Sequence, residues 1–238
     1  MAATILTAGN LVCGFAAILL VTLPGLLGWG SPQLETAVWC LAAAGVLDAA
    51  DGPVARRFGT PPAPWGRQFD ALADLVSFGL APVLLLGSAM PASWNHLMAA
   101  GGVLYILAGA WRLARFLWTA DRMGPGRFQG LPITGAGLAL AAFWLFEAGR
   151  WGTLTHPAAG ITLLGGSAVL MVSRVPYRKF PAFGGVGAGG RVLAAAAVAA
   201  ITLRPSVMGL VVAVTYMMYA PILAGVNALR GSESIPSE

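Results

Sequence analysis

The 238 residues are 58% hydrophobic and only 10% charged, against roughly 25% charged in an ordinary soluble domain. With a mean hydropathy of +0.77 there is too little charge to cover a water-facing surface, and lipid is the solvent the chain fits. The net charge of +5 does not point to nucleic acid, because Lys and Arg fall in loops between apolar runs rather than on one solvated face. Cys13 and Cys40 lie inside apolar runs and read as packing residues, and His96 and His156 have no second ligand nearby, which argues against zinc.

A helix needs about 20 apolar residues to cross a bilayer core. In chain order the apolar runs predict eight: about residues 8–29, 33–57, 67–90, 94–119, 130–149, 154–173, 191–203 and 206–228. The first lacks the charged flank and cleavage signal of a secretory leader and is expected to be retained as a helix. Pro91 and Asp121 bound the fourth and Pro205 the eighth; the seventh is short, as a tilted or partly re-entrant helix would be. The expectation is an all-α integral membrane protein, one bundle of about eight transmembrane helices over residues 1–230, with a disordered polar tail at 231–238.

With the N-terminus inside, twelve of the fourteen Lys and Arg residues fall on cytoplasmic ends and loops, and only Arg150 and Arg204 fall outside. This excess sets the orientation, with both termini cytoplasmic. The loop from Phe183 to Gly190 contains Gly185-x-Gly187-x-x-Gly190. A dinucleotide fingerprint requires a strand before it and a helix after it, so between two membrane helices this is a flexible loop. The single lysine is Lys179, and no phosphate loop ending Gly-Lys-Ser/Thr exists.

Of nine acidic residues, four lie between positions 48 and 74. Asp48 and Asp51 are three apart at the cytoplasmic end of the second helix, and Asp70 and Asp74 are four apart at the start of the third. Both spacings put side chains on one helix face. The short connection from Arg57 to Trp65 makes the two helices antiparallel neighbours, so four carboxylates converge near the cytoplasmic surface. Pairing with Arg56, Arg57 or Arg67 as topological decoration is the bland alternative. Four like charges at a low-dielectric boundary repel one another, however, and ionisable groups at membrane depth mark function. A divalent cation removes the repulsion, and oxygen-only donors select one or two hard ions such as Mg²⁺, Mn²⁺ or Ca²⁺. Gly52, Ala55 and Gly66 keep the neighbouring faces small, and Arg56 is placed to meet anionic oxygens; together these features describe a pyrophosphate site. Pro53 interrupts the helix and predicts a kink near Ala49.

Asp48-Ala-Ala-Asp51-Gly52-Pro-Val-Ala55-Arg56, followed by Gly66-x-x-x-Asp70-x-x-x-Asp74, resembles the signature of the CDP-alcohol phosphotransferases, with every fixed position filled. Further segments are similar to the bacterial phosphatidylserine synthase branch (CDP-diacylglycerol–serine O-phosphatidyltransferases). These are Asn10-Leu-Val-Cys13-Gly14-Phe, the stretch from Phe69 to Pro82, Arg112-Leu-Ala-Arg115-Phe116, Phe128-Gln-Gly-Leu-Pro132, and Met171 to Phe180, with Ala71 standing where a serine is expected. The resemblance implies an enzyme of phospholipid biosynthesis that moves the phosphatidyl group from CDP-diacylglycerol to L-serine and releases CMP, with one or two Mg²⁺ or Mn²⁺ ions as cofactor. It implies that Asp48, Asp51 and Asp70 hold metal and that Asp74 divides between metal binding and the catalytic base. Asn10, Gly52, Ala55, Arg56 and Gly66 would receive CDP-diacylglycerol, entering from the inner leaflet. A multi-pass homodimer in the cytoplasmic (inner) membrane, with its active site facing the cytoplasm and no nucleic-acid partner, completes the expectation.

Arg112 and Arg115 sit three apart in an otherwise apolar run, where an arginine is costly unless it is paired or reaches water. Arg115, nearer the helix end, can snorkel; Arg112 is one turn deeper. Serine brings a carboxylate that a bidentate arginine neutralises, so Arg112 with Arg115 is the expected acceptor site, and Gln129 and the Arg178–Lys179 pair are weaker candidates. The same chemistry on glycerol phosphate or inositol phosphate stays open, although those dianions want more cations than these. Ion transport is disfavoured, because the acids lie at the membrane edge and the chain has no internal repeat.

Overall fold

The computed structural model describes residues 2–23, 32–57, 64–119, 127–151, 153–178 and 205–232. Helix α1 (Ala2–Thr22) starts ahead of the predicted first span, and α2 (Pro32–Arg57) continues through Pro53. The predicted third span is two helices, α3 (Pro64–Asp74) and α4 (Ala81–Ser88), joined directly by a π-helical turn at Leu75–Leu80. A 3₁₀ turn at Ala92–Trp94 leads into α5 (Asn95–Thr119), and α6 (Ile133–Trp151), α7 (Pro157–Val172) and α8 (Pro205–Ser232) follow. The predicted seventh span, the glycine-rich loop at 183–190 and residues 233–238 of the expected tail lie outside the described residues.

Among the described residues five stretches are long and apolar enough to cross a membrane: Thr4–Thr22, Gln33–Ala55, Trp65–Ser88, Ala92–Thr119 and Ser206–Leu223. Ile133–Ala148 and Pro157–Val172 are apolar but shorter. The fold is therefore the all-helical, multi-pass membrane bundle that the composition predicts. One addition is a small antiparallel ribbon, β1 (Arg127–Gln129) with β2 (Pro176–Arg178), pairing Phe128 with Tyr177.

Lipid tails are as apolar as leucine, so helices in a bilayer associate through close packing rather than through apolar burial. Ile5, Val12, Phe15, Trp111 and Val169 accordingly remain exposed, while glycines sit where backbones meet. A Cβ on Gly14 of α1 would stand 2.6 Å from the Cα of Ser77, and one on Gly137 of α6 would stand 2.8 Å from the carbonyl oxygen of Phe78. Both helices thus approach the π turn backbone to backbone. The turn is further tied by the Tyr105 hydroxyl, which donates to the Phe78 carbonyl at 3.0 Å, and by the Ser77 hydroxyl, which donates to the Asn10 carbonyl at 3.0 Å. Phe78, Leu85, Leu86, Tyr105, Leu140 and Leu164 form the fully buried centre around it.

Two charged side chains close the ends of α7. At its N-terminus the buried Glu147 accepts backbone N–H groups from Thr155 at 3.1 Å and His156 at 2.9 Å, as well as the Thr155 hydroxyl and, at 3.0 Å, the His156 ring nitrogen. A carboxylate there satisfies the backbone donors of the N-cap residue His156 and of Thr155 before it, and it complements the helix dipole. At the C-terminus Arg115 of α5 donates to the carbonyls of Val172 at 2.9 Å, Gln129 at 2.8 Å, Met171 at 3.0 Å and Ser173 at 3.1 Å. Beside it Gly130 has φ +81, and a Cβ there would lie 2.7 Å from the Arg115 guanidinium, so the tight approach requires glycine. Arg115→Ala removes the shared donor from four carbonyls. It should cost about 2 kcal/mol or more, because hydrogen bonds to charged groups are worth more than neutral ones. The check is a clear drop in thermal midpoint in detergent; an unchanged midpoint would overturn the clamp.

Candidate active site

Helix α2 carries Asp48 and Asp51, and α3 carries Asp70 and Asp74 immediately ahead of the π turn. One carboxylate oxygen from each of Asp48, Asp70 and Asp74 lies within 4.8 Å of the other two. Asp74 is the most enclosed, at 7% exposure. No other group of three His, Cys, Asp or Glu side chains comes together in this way among the described residues. Asp51 lies outside this trio: its Oδ2 accepts the Thr7 hydroxyl at 2.9 Å, and its buried Oδ1 has no hydrogen-bond partner.

Donors from other helices hold the carboxylates. The Thr134 hydroxyl of α6 donates to Asp48 Oδ2 at 3.0 Å, and the Asn10 amide of α1 donates to Asp74 Oδ1 at 3.1 Å. Asn10 is fully buried, and its Oδ1 has no hydrogen-bond partner. It stands among the carboxylates. Thr7 and Thr134 escape sequence reasoning. Thr7 had a faint signal, three residues before Asn10 and hence on the same helical face. Thr134, two residues past the quoted Phe128–Pro132 segment, had none.

Magnitudes decide what these donors can achieve. Two like charges about 4.8 Å apart repel by about 3 kcal/mol at an effective dielectric near 20. A net hydrogen bond returns only about 1 kcal/mol. One hydroxyl on Asp48 and one amide on Asp74 therefore orient the cluster without neutralising it. Hard oxygen donors, close spacing and an orphaned carboxylate oxygen on Asp51 together fit a hard divalent cation.

The two arginines of the Arg112–Arg115 motif part company. Arg112 is buried at 7% exposure, the one buried cation among the described residues, and lies 5.9 Å over the Phe116 ring. It interacts electrostatically with Asp74 and Asp48, so α5 brings it to the carboxylates. Arg115 is engaged on the α7 carbonyls instead. Gln129 gives its carbonyl to Arg115 and is otherwise exposed. Gly52 and Ala55 are half-buried on α2, and a Cβ on Gly66 would meet nothing within 4 Å. The Arg56 and Arg178 side chains and Lys179 lie outside what is described.

The family model described as CDP-alcohol phosphatidyltransferase matches residues 1–173. The CDP-diacylglycerol–serine O-phosphatidyltransferase of Helicobacter pylori is 34% identical over 159 residues, 63% of this chain and 63% of its own. The enzyme of the same name from Mycobacterium leprae is 30% identical over 208 residues, 79% of this chain and 65% of its own. The archaetidylserine synthase of Methanothermobacter thermautotrophicus is 31% identical over 153 residues, 64% of this chain and 62% of its own. The chain thus spans under two thirds of the length of each of these relatives. The matched stretch holds α1 to α7 and every aspartate of the cluster, and on that footing the chain belongs to the CDP-alcohol phosphatidyltransferase family.

Proposed function

We propose that this protein is a phosphatidylserine synthase, which transfers the phosphatidyl group from CDP-diacylglycerol to L-serine and releases CMP. The observation that carries the reading is the convergence of Asp48, Asp70 and Asp74 beside the buried cation Arg112. The names of the relatives, which specify serine in two cases and archaetidylserine in the third, support the acceptor. A site for glycerol phosphate or inositol phosphate would need further cations to meet the additional dianion.

Asp48, Asp70 and Asp74, with Asp51 alongside, would hold one or two divalent ions, Mg²⁺ or Mn²⁺, which supply positive charge to the pyrophosphate and to the departing phosphate. Gly52, Ala55 and Gly66 leave room for the cytidine and pyrophosphate, with Arg56 meeting anionic oxygens. Asn10 steadies Asp74 by holding Oδ1. Asp74 takes the proton of the serine hydroxyl as that oxygen bonds to the β-phosphorus. The bond from that phosphorus to the bridging oxygen breaks, and CMP leaves with the electron pair. Arg112 receives the serine carboxylate through two parallel N–H donors. The positive-inside bias supports a site open to the cytoplasm in a cytoplasmic (inner) membrane. The homodimer expected from the resemblance has no support in the single chain, and the reaction does not require it, since one chain supplies every proposed ligand.

Three outcomes test this reading. EDTA should abolish CMP release, with Mn²⁺ or Mg²⁺ restoring it; full turnover in the chelated protein sinks the metal assignment. Gly66→Leu should leave the thermal midpoint unchanged, because the space beside it is open. The same variant should weaken CDP-diacylglycerol binding by about tenfold or more, the cost of filling a pocket with a bulky side chain. Arg112→Lys should raise the KM for serine by roughly tenfold through loss of the bidentate contact, with the KM for CDP-diacylglycerol nearly constant. If the two constants rise together, Arg112 serves the phosphates or the fold; if neither moves, it does not bind the acceptor.

A further inference from the structure

Thr134 sits in the first turn of α6 and belongs neither to the acidic signature nor to the segments similar to the synthase branch. Its hydroxyl nevertheless reaches 86 residues back along the chain to donate to Asp48 Oδ2 at 3.0 Å. The backbone around it is held on both sides. Upstream, the Gly130 N–H donates to the Val175 carbonyl at 2.9 Å and the Leu131 N–H to the Leu170 carbonyl at 3.0 Å. Leu131 and Ile133 are fully buried. Downstream, the Ala136 N–H donates to the Pro132 carbonyl at 3.0 Å, and Gly137 rests on the backbone of Phe78. A branched side chain has few χ1 choices on such a backbone, so the hydroxyl is offered from a nearly fixed point.

Asp48 needs that fixed point. One of its carboxylate oxygens lies within 4.8 Å of oxygens from Asp70 and Asp74, and like charges at that distance favour rotating it away. The terminal torsion of an aspartate is broad, so little within the side chain itself resists the rotation. The hydrogen bond from Thr134 cannot cancel the repulsion, but it selects the plane of the carboxylate. A hard cation depends on that plane, because Mg²⁺ demands near-octahedral oxygen geometry at short range. We propose that Thr134 is a positioning residue for the metal site, holding Asp48 in the orientation that binds a divalent cation. The inference rests on the reading of Asp48, Asp70 and Asp74 as metal ligands. Partners that orient a ligating carboxylate change metal affinity by about 10- to 100-fold.

The test is Mn²⁺ binding to the full-length protein in detergent, stripped with EDTA and then desalted, with no substrate present. Free Mn²⁺ is read by electron paramagnetic resonance. Thr134→Val keeps the branched shape and removes the hydroxyl, and it should raise the Kd for Mn²⁺ by about tenfold or more. Thr134→Ala, which also lacks the donor, should do the same, so a folding defect in either variant leaves the other to decide. Thr134→Ser keeps the donor and should stay within about twofold of the parent protein. The Mn²⁺ concentration for half-maximal CMP release should rise in step with the Kd. The proposal is overturned if the hydroxyl-free variants bind Mn²⁺ as tightly as the parent, or if serine at 134 fails to restore binding. It is overturned equally if the variants only lower the thermal midpoint in EDTA. A parent protein that binds no Mn²⁺ strikes the metal reading itself and this inference with it, whereas unchanged binding in the variants strikes the role of Thr134 alone.

Discussion

Mutual repulsion among carboxylates inside an apolar bundle is the constraint on which the remainder of this molecule depends. Asp48, Asp70 and Asp74 bring oxygens within 4.8 Å of one another, and hydrogen bonds alone cannot neutralise them. Such a cluster persists only if the helices bearing it are held from outside. Threonine and asparagine from α1 and α6 do this, each reaching one carboxylate. Polar side chains that would be costly in lipid therefore sit where their partners are, and α1 and α6 are as much a part of the site as α2 and α3.

The π turn is how those two helices come near enough. A π turn carries more than four residues per hydrogen-bonded loop and re-aims the side chains that follow it relative to those before. Here it starts directly after Asp74, so α3 can present its acids to the site while α4 presents Leu85 and Leu86 to the core. Gly14 and Gly137 have no Cβ, which allows α1 and α6 to contact the turn's backbone. That proximity brings the Asn10 amide to Asp74.

What was legible in the sequence and what was not divides along the range of the interaction. Hydrophobic runs located the helices of the described residues, because a bilayer crossing asks for about 20 apolar residues. The three- and four-residue spacings of Asp48, Asp51, Asp70 and Asp74 gave their faces, and Asp51 alone of these falls outside the close trio. The π turn left no trace, because Leu75 to Leu80 is an apolar run that suits an α-helix equally well. Thr134 was invisible for another reason: its partner Asp48 is 86 residues away, and an isolated threonine carries no periodicity. The short ribbon depends on the pairing of Arg127–Gln129 with Pro176–Arg178, too brief for alternation to register.

Arg112 and Arg115 show how depth alone divides two identical side chains. They share one helix face and stand one turn apart, and sequence could only rank them by distance from the membrane edge. The shallower residue finds the carbonyls at the C-terminus of α7, where a cation also complements the helix dipole. It thereby becomes structural. The deeper one is buried and meets charge from side chains, the aspartates of α2 and α3.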